Sequence, residues 1–206
     1  MKTVLITGAS RGIGLATAKE FRKNGWFVLG TSTSGGEFIQ LDLRDESSIS
    51  AAASKIKTQH PQIDVLINNA GIGIEPDENK MDMQMLRSTL EVNLIGTISF
   101  TEKILESITG HVIFVSSKMA SLVEFDSGIC PAYCISKTAL NMYGKTLADR
   151  LKNITVSAFD PGWVKTDMGG PGAPRNAETP AKELFTLANS KVATGHFWFK
   201  GKTRSW

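Results

Sequence analysis

Thr7-Gly8-Ala9-Ser10-Arg11-Gly12-Ile13-Gly14 decides the fold through what stands on either side of it. Before it runs Thr3-Val4-Leu5-Ile6, a short apolar run rich in β-branched residues, the pattern of a buried parallel strand. After it, Leu15, Ala16, Ala18, Lys19 and Phe21 continue at helical spacing to about Asn24-Gly25. Strand, glycine-rich turn and helix in that order form the context in which a glycine pattern reads as a dinucleotide site. Gly8 permits the tight turn, Gly12 lets the backbone approach a pyrophosphate, and Gly14 lets the helix pack close to the strand. Ser10, Arg11 and Ile13 complete the same cradle, and the helix N-terminus favours the anion. The spacing is GxxxGxG, where the general fingerprint is GxGxxG.

Trp26-Phe27-Val28-Leu29-Gly30-Thr31 reads as the second strand. In a dinucleotide fold its end meets the adenosine ribose, where an Asp or Glu binds the 2′-hydroxyl of NAD. Here the stretch is Thr31-Ser32-Thr33-Ser34, with no carboxylate to repel a phosphate, and Arg11 lies within reach. Both features favour NADP(H) over NAD(H). The third strand, Glu37-Phe38-Ile39-Gln40-Leu41, follows after only a few residues. Parallel neighbours normally need a crossover of about a dozen residues, so a bare loop is expected there, with the sheet still parallel. Asp42-Leu43 closes this strand and faces the adenine, or else caps the helix that runs to about Gln59, before Pro61.

Val65-Leu66-Ile67 is a fourth buried strand, ending in Asn68-Asn69-Ala70-Gly71. These small residues suit backbone lying along a cofactor, although Asn-Ala-Gly also makes an ordinary turn. One long helical pattern spans residues 83–108 and contains Asn93, a residue that competes for backbone bonds inside helices. A fifth strand (His111-Val112-Ile113-Phe114-Val115) leads to Ser116-Ser117 and a polar loop reaching Pro131. Then come a helix to about Leu151 and a sixth strand, Thr155-Val156-Ser157-Ala158-Phe159. Asp160-Pro161-Gly162-Trp163-Val164-Lys165-Thr166 follows, then a Gly/Pro-rich loop, a helix over 181–188 and a seventh strand at 195–199. The alternation predicts an α/β chain: a Rossmann-type, doubly wound parallel sheet of about seven strands flanked by helices.

Tyr133-Cys134-Ile135-Ser136-Lys137 opens the helix before the sixth strand. Positions i and i+4 share a helical face, so phenol and ammonium converge on one small volume. A neighbouring cation favours phenolate, so Lys137 is expected to pull the Tyr133 pKa below its usual value of about 10. That makes Tyr133 a candidate acid or base. Taken alone, such a pair is more often a packed ring and a solvated charge.

At 206 residues the chain fits one domain, 1–206, with a sizeable core. A net charge of +3 is mild, and the one basic cluster, Lys200, Lys202 and Arg204, reads as a solvated terminus without the aromatic interleaving of a nucleic-acid footprint. No apolar run approaches the ~18 residues of a membrane helix, and a strand starts too early to leave room for a signal peptide. Cys130 and Cys134 lack the companions of a metal site. No metal, nucleic acid or membrane partner is expected, and the setting is cytoplasmic. His60, His111 and His196 are scattered, which argues against a histidine-centred site.

With TGASRGIG at 7–14, NNAG at 68–71, a helical Asn at 93, Ser-Ser at 116–117, YCISK at 133–137 and PGWVKT at 161–166, the chain resembles the short-chain dehydrogenase/reductase family over nearly its whole length. The resemblance implies a catalytic tetrad of Asn93, Ser117, Tyr133 and Lys137. Tyr133 would donate a proton to a substrate carbonyl oxygen that Ser117 also hydrogen-bonds, and Ser116 would face the core. Lys137 would bind the nicotinamide ribose and hold the phenol's pKa low. Asn93, interrupting its own helix, would hold a water in a relay to Lys137. Thr166 would fix the carboxamide, with Pro161, Gly162 and Val164 lining the nicotinamide pocket. Asn68, Asn69, Ala70 and Gly71 would run along the cofactor.

Two departures accompany the resemblance. The helix expected between the second and third strands is missing, and Gly169-Gly170-Pro171-Gly172-Ala173-Pro174 stands where a helical lid is common. Short members ending in a Phe/Trp-rich strand resemble the C-factor and carbonyl-reductase-like branch. The implied activity is NADPH-dependent reduction of an aldehyde or ketone, reversible, in an open site of loose specificity. The alternatives are reduction of a 3-oxoacyl thioester, since the glycine-rich turn is similar to that of the acyl-carrier reductases, and a non-catalytic dinucleotide-binding sensor. The helices at 83–108 and 133–151 resemble those that pair in family dimers, so a homodimer or homotetramer is one expected state and a monomer the other.

Overall fold

The computed structural model describes residues 1–73, 81–125 and 127–206; one position of the polar loop expected before Pro131, residue 126, lies outside them. Its strands form one sheet: β1 (Thr3–Ile6), β2 (Phe27–Ser32), β3 (Ile39–Gln40), β4 (Ile63–Asn68), β5 (Ile108–Val115), β6 (Thr155–Phe159), β7 (His196–Phe199) and β8 (Lys202–Arg204). The order is β3-β2-β1-β4-β5-β6-β7-β8, parallel from β3 to β7. The chain winds outward from β1 to β3, then returns to β4 on the other side of β1. The crevice at the carboxyl ends of β1 and β4 is therefore a topological switch point, where open α/β sheets place their ligands.

Successive residues of the central strands are buried on opposite faces, as strands covered on both sides require. Val4, Ile6, Val65, Ile67 and Ile113 pack under α1 (Gly12–Lys23) and α6 (Glu178–Asn189). There Phe21 meets Trp26 and Phe185 edge-on, with centroids 5.1 and 5.0 Å away. Leu5, Leu66, Val112 and Phe114 pack under α2 (Glu46–Gln59), α4 (Thr97–Ile104) and α5 (Pro131–Arg150). Asp45 caps α2 by accepting from the Ser47 amide at 2.9 Å, and Pro131 starts α5 where a missing N–H costs nothing. Among the described residues no helix is long and apolar enough to cross a membrane.

The expected bare crossover from β2 to β3 is present. Thr31 pairs with Ile39 and Ser32 with Gln40, in parallel, across residues 33–38 and without a helix. Two expectations need correction. The sheet has an eighth strand, antiparallel to β7, with Phe199 opposite Lys202 and Phe197 opposite Arg204. Lys200 and Gly201 both take positive φ (50° and 74°), which a two-residue hairpin of the twist-compatible kind demands. The basic tail is thus sheet, and Arg204, read as solvated, has its side chain only 8% exposed.

The long helix of 83–108 is also not one helix. It consists of α3 (Met83–Leu90), a π-helical segment (Glu91–Gly96), α4 and a short 3₁₀ turn (Leu105–Ser107), after which β5 begins at Ile108. Single π-turns inside helices mark places where the backbone is re-aimed, often at functional sites.

Candidate active site

Three segments meet at the switch point. The Asn69 and Ala70 amides both donate to Thr7 Oγ1 at 3.0 Å, while Asn69 Nδ2 donates to the Thr7 and Gly8 carbonyls at 2.9 and 3.2 Å. The ends of β1 and β4 are thereby bound into one floor. Gly14 closes it: a Cβ there would stand 2.1 Å from the Gly8 carbonyl oxygen and 2.6 Å from Asn69 Nδ2. Over the turn lies Thr166, whose Cγ2 would be 3.3 Å from a Cβ at Gly12. Arg11 precedes α1 without a side-chain cap, and the first turn carries no acidic residue. Its amides and the positive end of the helix dipole are left for an external anion, so these residues fit a pyrophosphate.

Ser117, at the end of the β5 strand's exit turn, hydrogen-bonds the Tyr133 phenol. Ser116 beside it is 1% exposed and faces inward. Lys137, one turn below Tyr133 and 4% exposed, donates to the Val115 carbonyl at 2.9 Å. Its Nζ lies over the Tyr133 ring, 5.7 Å from the centroid. Burial lowers the Lys137 pKa to about 8. The expected effect on the phenol is reversed. Burial, followed by the Asp160 carboxylate, pushes the Tyr133 pKa well above its ordinary value, and the Ser117 hydrogen bond opposes them only in part. Desolvating a phenolate outweighs the pull of a buried cation that sits over the ring face.

Asn93, fully buried in the π-turn, spends its amide on the loop after β4. Oδ1 accepts from the Ile72 amide at 2.8 Å, and Nδ2 donates to the Ile72 carbonyl at 2.8 Å and to Ser136 Oγ at 3.1 Å. Gly71 is wedged between these groups: its Cβ position is 3.1 Å from Asn93 Oδ1 and 3.4 Å from Lys137 Nζ. Asn93, Ser117, Tyr133, Lys137 and Gly71 thus surround one volume. Asn93 Nδ2 spends both hydrogens on Ile72 and Ser136, while Oδ1 accepts one bond, from Ile72, and keeps a second lone pair.

At the adenosine end the side chains have partners within the chain. Thr31 and Ser32 are buried at 1% and 4%; Ser32 Oγ donates to the Gly35 carbonyl at 3.0 Å and so tightens the bare crossover. Asp42 is gripped by Arg44 through Nε at 3.0 Å and Nη2 at 2.7 Å, which holds its carboxyl below the usual range. Leu43 is buried at 5%. Arg11 reaches Asp167, Nη1 to Oδ2 2.6 Å, in an exposed pair that spans the mouth of the crevice.

After β6, Val164 is buried at 4% and Thr166 Oγ1 accepts from the Gly169 amide at 3.0 Å. The Pro161 carbonyl accepts from Arg175, and Gly162 N donates to Asp160 Oδ1 at 2.8 Å. Three neighbours of the site escaped the sequence reading. Met168 Sδ lies 3.4 Å from the Cβ position of Gly73, which the Tyr133 ring also touches at 3.4 Å. Asp160 carried a signal, since it abuts Pro161-Gly162. Ser136 carried one too, inside the tyrosine motif, while Met168 carried none.

A family profile described as short chain dehydrogenase matches residues 2–176. The 3-oxoacyl-(acyl-carrier-protein) reductase of Haemophilus influenzae is 31% identical over 186 residues, covering 81% of this chain and 76% of its own. The enzyme of the same name from Escherichia coli is 29% identical, covering 81% and 75%. Among solved structures, the carbonyl reductase Sniffer of Drosophila melanogaster is 27% identical and superposes over 100% of both chains with a TM-score of 0.89.

Proposed function

Since the chain belongs to the short-chain dehydrogenase family, we propose that it is an NADPH-dependent carbonyl reductase, reversible, acting on aldehydes or ketones in an open site. The observation that carries this reading is the Ser117–Tyr133 hydrogen bond beside buried Lys137, at the mouth of the crevice. When bound, the reduced nicotinamide supplies the hydride. A phenol whose pKa is raised stays protonated at neutral pH, so Tyr133 holds its proton until hydride arrival gives the carbonyl oxygen alkoxide character, and then transfers it to that stronger base. Ser117 donates a hydrogen bond to the same oxygen as charge builds. Lys137, with one carbonyl partner and a pKa of about 8, holds the ribose hydroxyls and exchanges protons near neutral pH. Asn93 keeps the wall at Gly71 and Ile72 in place.

Gly8, Ser10, Gly12, Ile13 and Gly14 take the pyrophosphate, and Asn69, Ala70 and Gly71 line the path to the ring. Pro161, Gly162, Val164 and Thr166 hold the nicotinamide, and Leu43 with Asp42 bounds the adenine. Arg11 meets the 2′-phosphate by leaving Asp167, an exposed pair of the weak kind. The full-length similarity to a carbonyl reductase supports the substrate class. A second reading, reduction of a 3-oxoacyl thioester, is favoured by the 31% identical relative.

Titration with NADPH and NADH, followed by turnover on small aldehydes, ketones and a 3-oxoacyl thioester, tests both. Tighter NADPH binding and turnover of simple carbonyls are expected. Turnover confined to the thioester replaces the first reading with the second. Tyr133→Phe should lose roughly 10²- to 10⁴-fold in turnover while still binding NADPH; an undiminished rate in that variant removes Tyr133 from the chemistry.

A further inference from the structure

Arg204 comes from the far edge of the sheet, on β8, yet its guanidinium is deeply buried. It pairs through Nη1 with Asp160 and through Nη2 with Glu124, its side chain 8% exposed and that of Asp160 2%. The Phe197 and Phe199 rings bracket it, 5.4 and 5.1 Å from Cζ. Its two acidic partners belong to different walls of the cleft. Glu124 lies a few residues beyond Ser117, and the Ser205 amide donates to it at 3.0 Å. In the same stretch, the Leu122 amide and Ser121 Oγ both donate to the Trp206 carbonyl at 3.1 Å. Asp160 begins the loop of Gly162, Val164 and Thr166. Its carboxylate accepts from the Gly162 amide at 2.8 Å and faces the amide of Lys118, next to Ser117.

We propose that Arg204 and Asp160 are positioning residues: together they lock the segment carrying Ser117 to the segment carrying Gly162 and Thr166, so that both walls of the cleft keep one register. The proposal rests on the reductase reading above for its catalytic consequence. A buried carboxylate that holds one wall and pairs through Arg204 with Glu124 on the other sets their separation only while it stays charged and in place, and Arg204 does both. Burial raises the Asp160 pKa, while Gly162, Arg204, the Lys118 amide and Arg175 oppose that rise. Asp160 in turn faces Tyr133, which is also met by Ser117, Cys134, Cys130 and, over its ring, Lys137. The same carboxylate therefore fixes the walls and bears on the phenol between them.

The test compares wild type with Arg204→Met, Arg204→Lys and Asp160→Asn. In Arg204→Met, kcat for carbonyl reduction should fall roughly 10- to 100-fold, as misplaced walls imply, with the KM for NADPH close to wild type. Amide exchange at Lys118 and Gly162 should quicken in the cofactor-free protein while the central strands stay protected. Arg204→Lys, which keeps a cation beside Asp160, should recover most of the loss. Asp160→Asn keeps an acceptor for the amides but removes the charge facing Tyr133. The rate of alcohol oxidation, which rises with pH as the phenol becomes a base, should then rise at lower pH than in wild type.

A folded Arg204→Met with wild-type kcat and unchanged exchange overturns the proposal. So does an Arg204→Lys no better than Arg204→Met, or an Asp160→Asn whose pH profile does not move. If Arg204→Met does not fold, the smaller defect of Arg204→Lys and the profile of Asp160→Asn decide. A wild-type protein that turns over no carbonyl sinks the reductase reading by itself. Exchange at Lys118 and Gly162 then decides the locking alone, in Arg204→Met or, where that variant does not fold, in Arg204→Lys.

Discussion

Single atoms decide much at this site. A methyl at Gly14 would lie 2.1 Å from the Gly8 carbonyl oxygen, a backbone atom that cannot swing aside. Gly14→Ala should therefore open the turn, cost about 1–3 kcal/mol as overpacking does, and abolish NADPH binding as read by fluorescence titration. His111 shows the same economy away from the site. It is 4% exposed, lies 2.9 Å from Ser157 Oγ, and burial lowers its pKa to about 4. At His111 the folded chain thus holds fewer protons than the unfolded chain between about pH 6.5 and pH 4, and the stability this residue contributes above that window is lost as pH falls through it. Urea unfolding near pH 7.5 and near pH 4.5 should differ by a few kcal/mol more in wild type than in His111→Gln, on the order of 1.4 kcal/mol per pKa unit.

At the level of elements, the π-turn explains why a helical pattern over 83–108 was legible and its interruption was not. Periodicity reports which residues face the core, and α3 and α4 both obey it; an extra residue in one turn changes the phase too little to show. Asn93 announced the irregularity only as a poor helix former, while its partners Ile72 and Ser136 come from elsewhere in the chain. At Gly96, where the π-turn passes into α4, the backbone touches the β3–α2 connection: a Cβ there would stand 1.9 Å from the Leu43 carbonyl oxygen. Gly96→Ala should lower stability by about 1–3 kcal/mol and weaken NADPH binding through the displaced adenosine wall. Denaturant unfolding and a cofactor titration on one preparation check both. Unchanged affinity would show that Leu43 does not bound the adenine.

Across the whole molecule, the crevice gathers segments from residues 7–14 to 166, so any ligand that fills it ties the two halves of the sheet together. NADPH at about 100 times its Kd should stabilise the fold by about 2.7 kcal/mol, a rise in Tm of roughly 5–10 °C for a chain of this size. NADH at the same concentration should raise it less. An equal shift with both cofactors would remove Arg11 and the missing carboxylate after β2 as determinants of choice.

Strand, turn and helix order, the glycine cradle and the Tyr133–Lys137 spacing were all written locally, because each depends on neighbours a few residues away, and they determined the α/β fold and the candidate residues of the site. What only the tertiary structure decided has contacts of long sequence separation. It turned the basic tail into β8, buried Arg204 against Asp160 and Glu124, and committed Asn93 to Ile72. It also reversed the expected shift of the Tyr133 phenol, since the cost of burying a charge depends on everything packed around it, and no spacing along the chain records that.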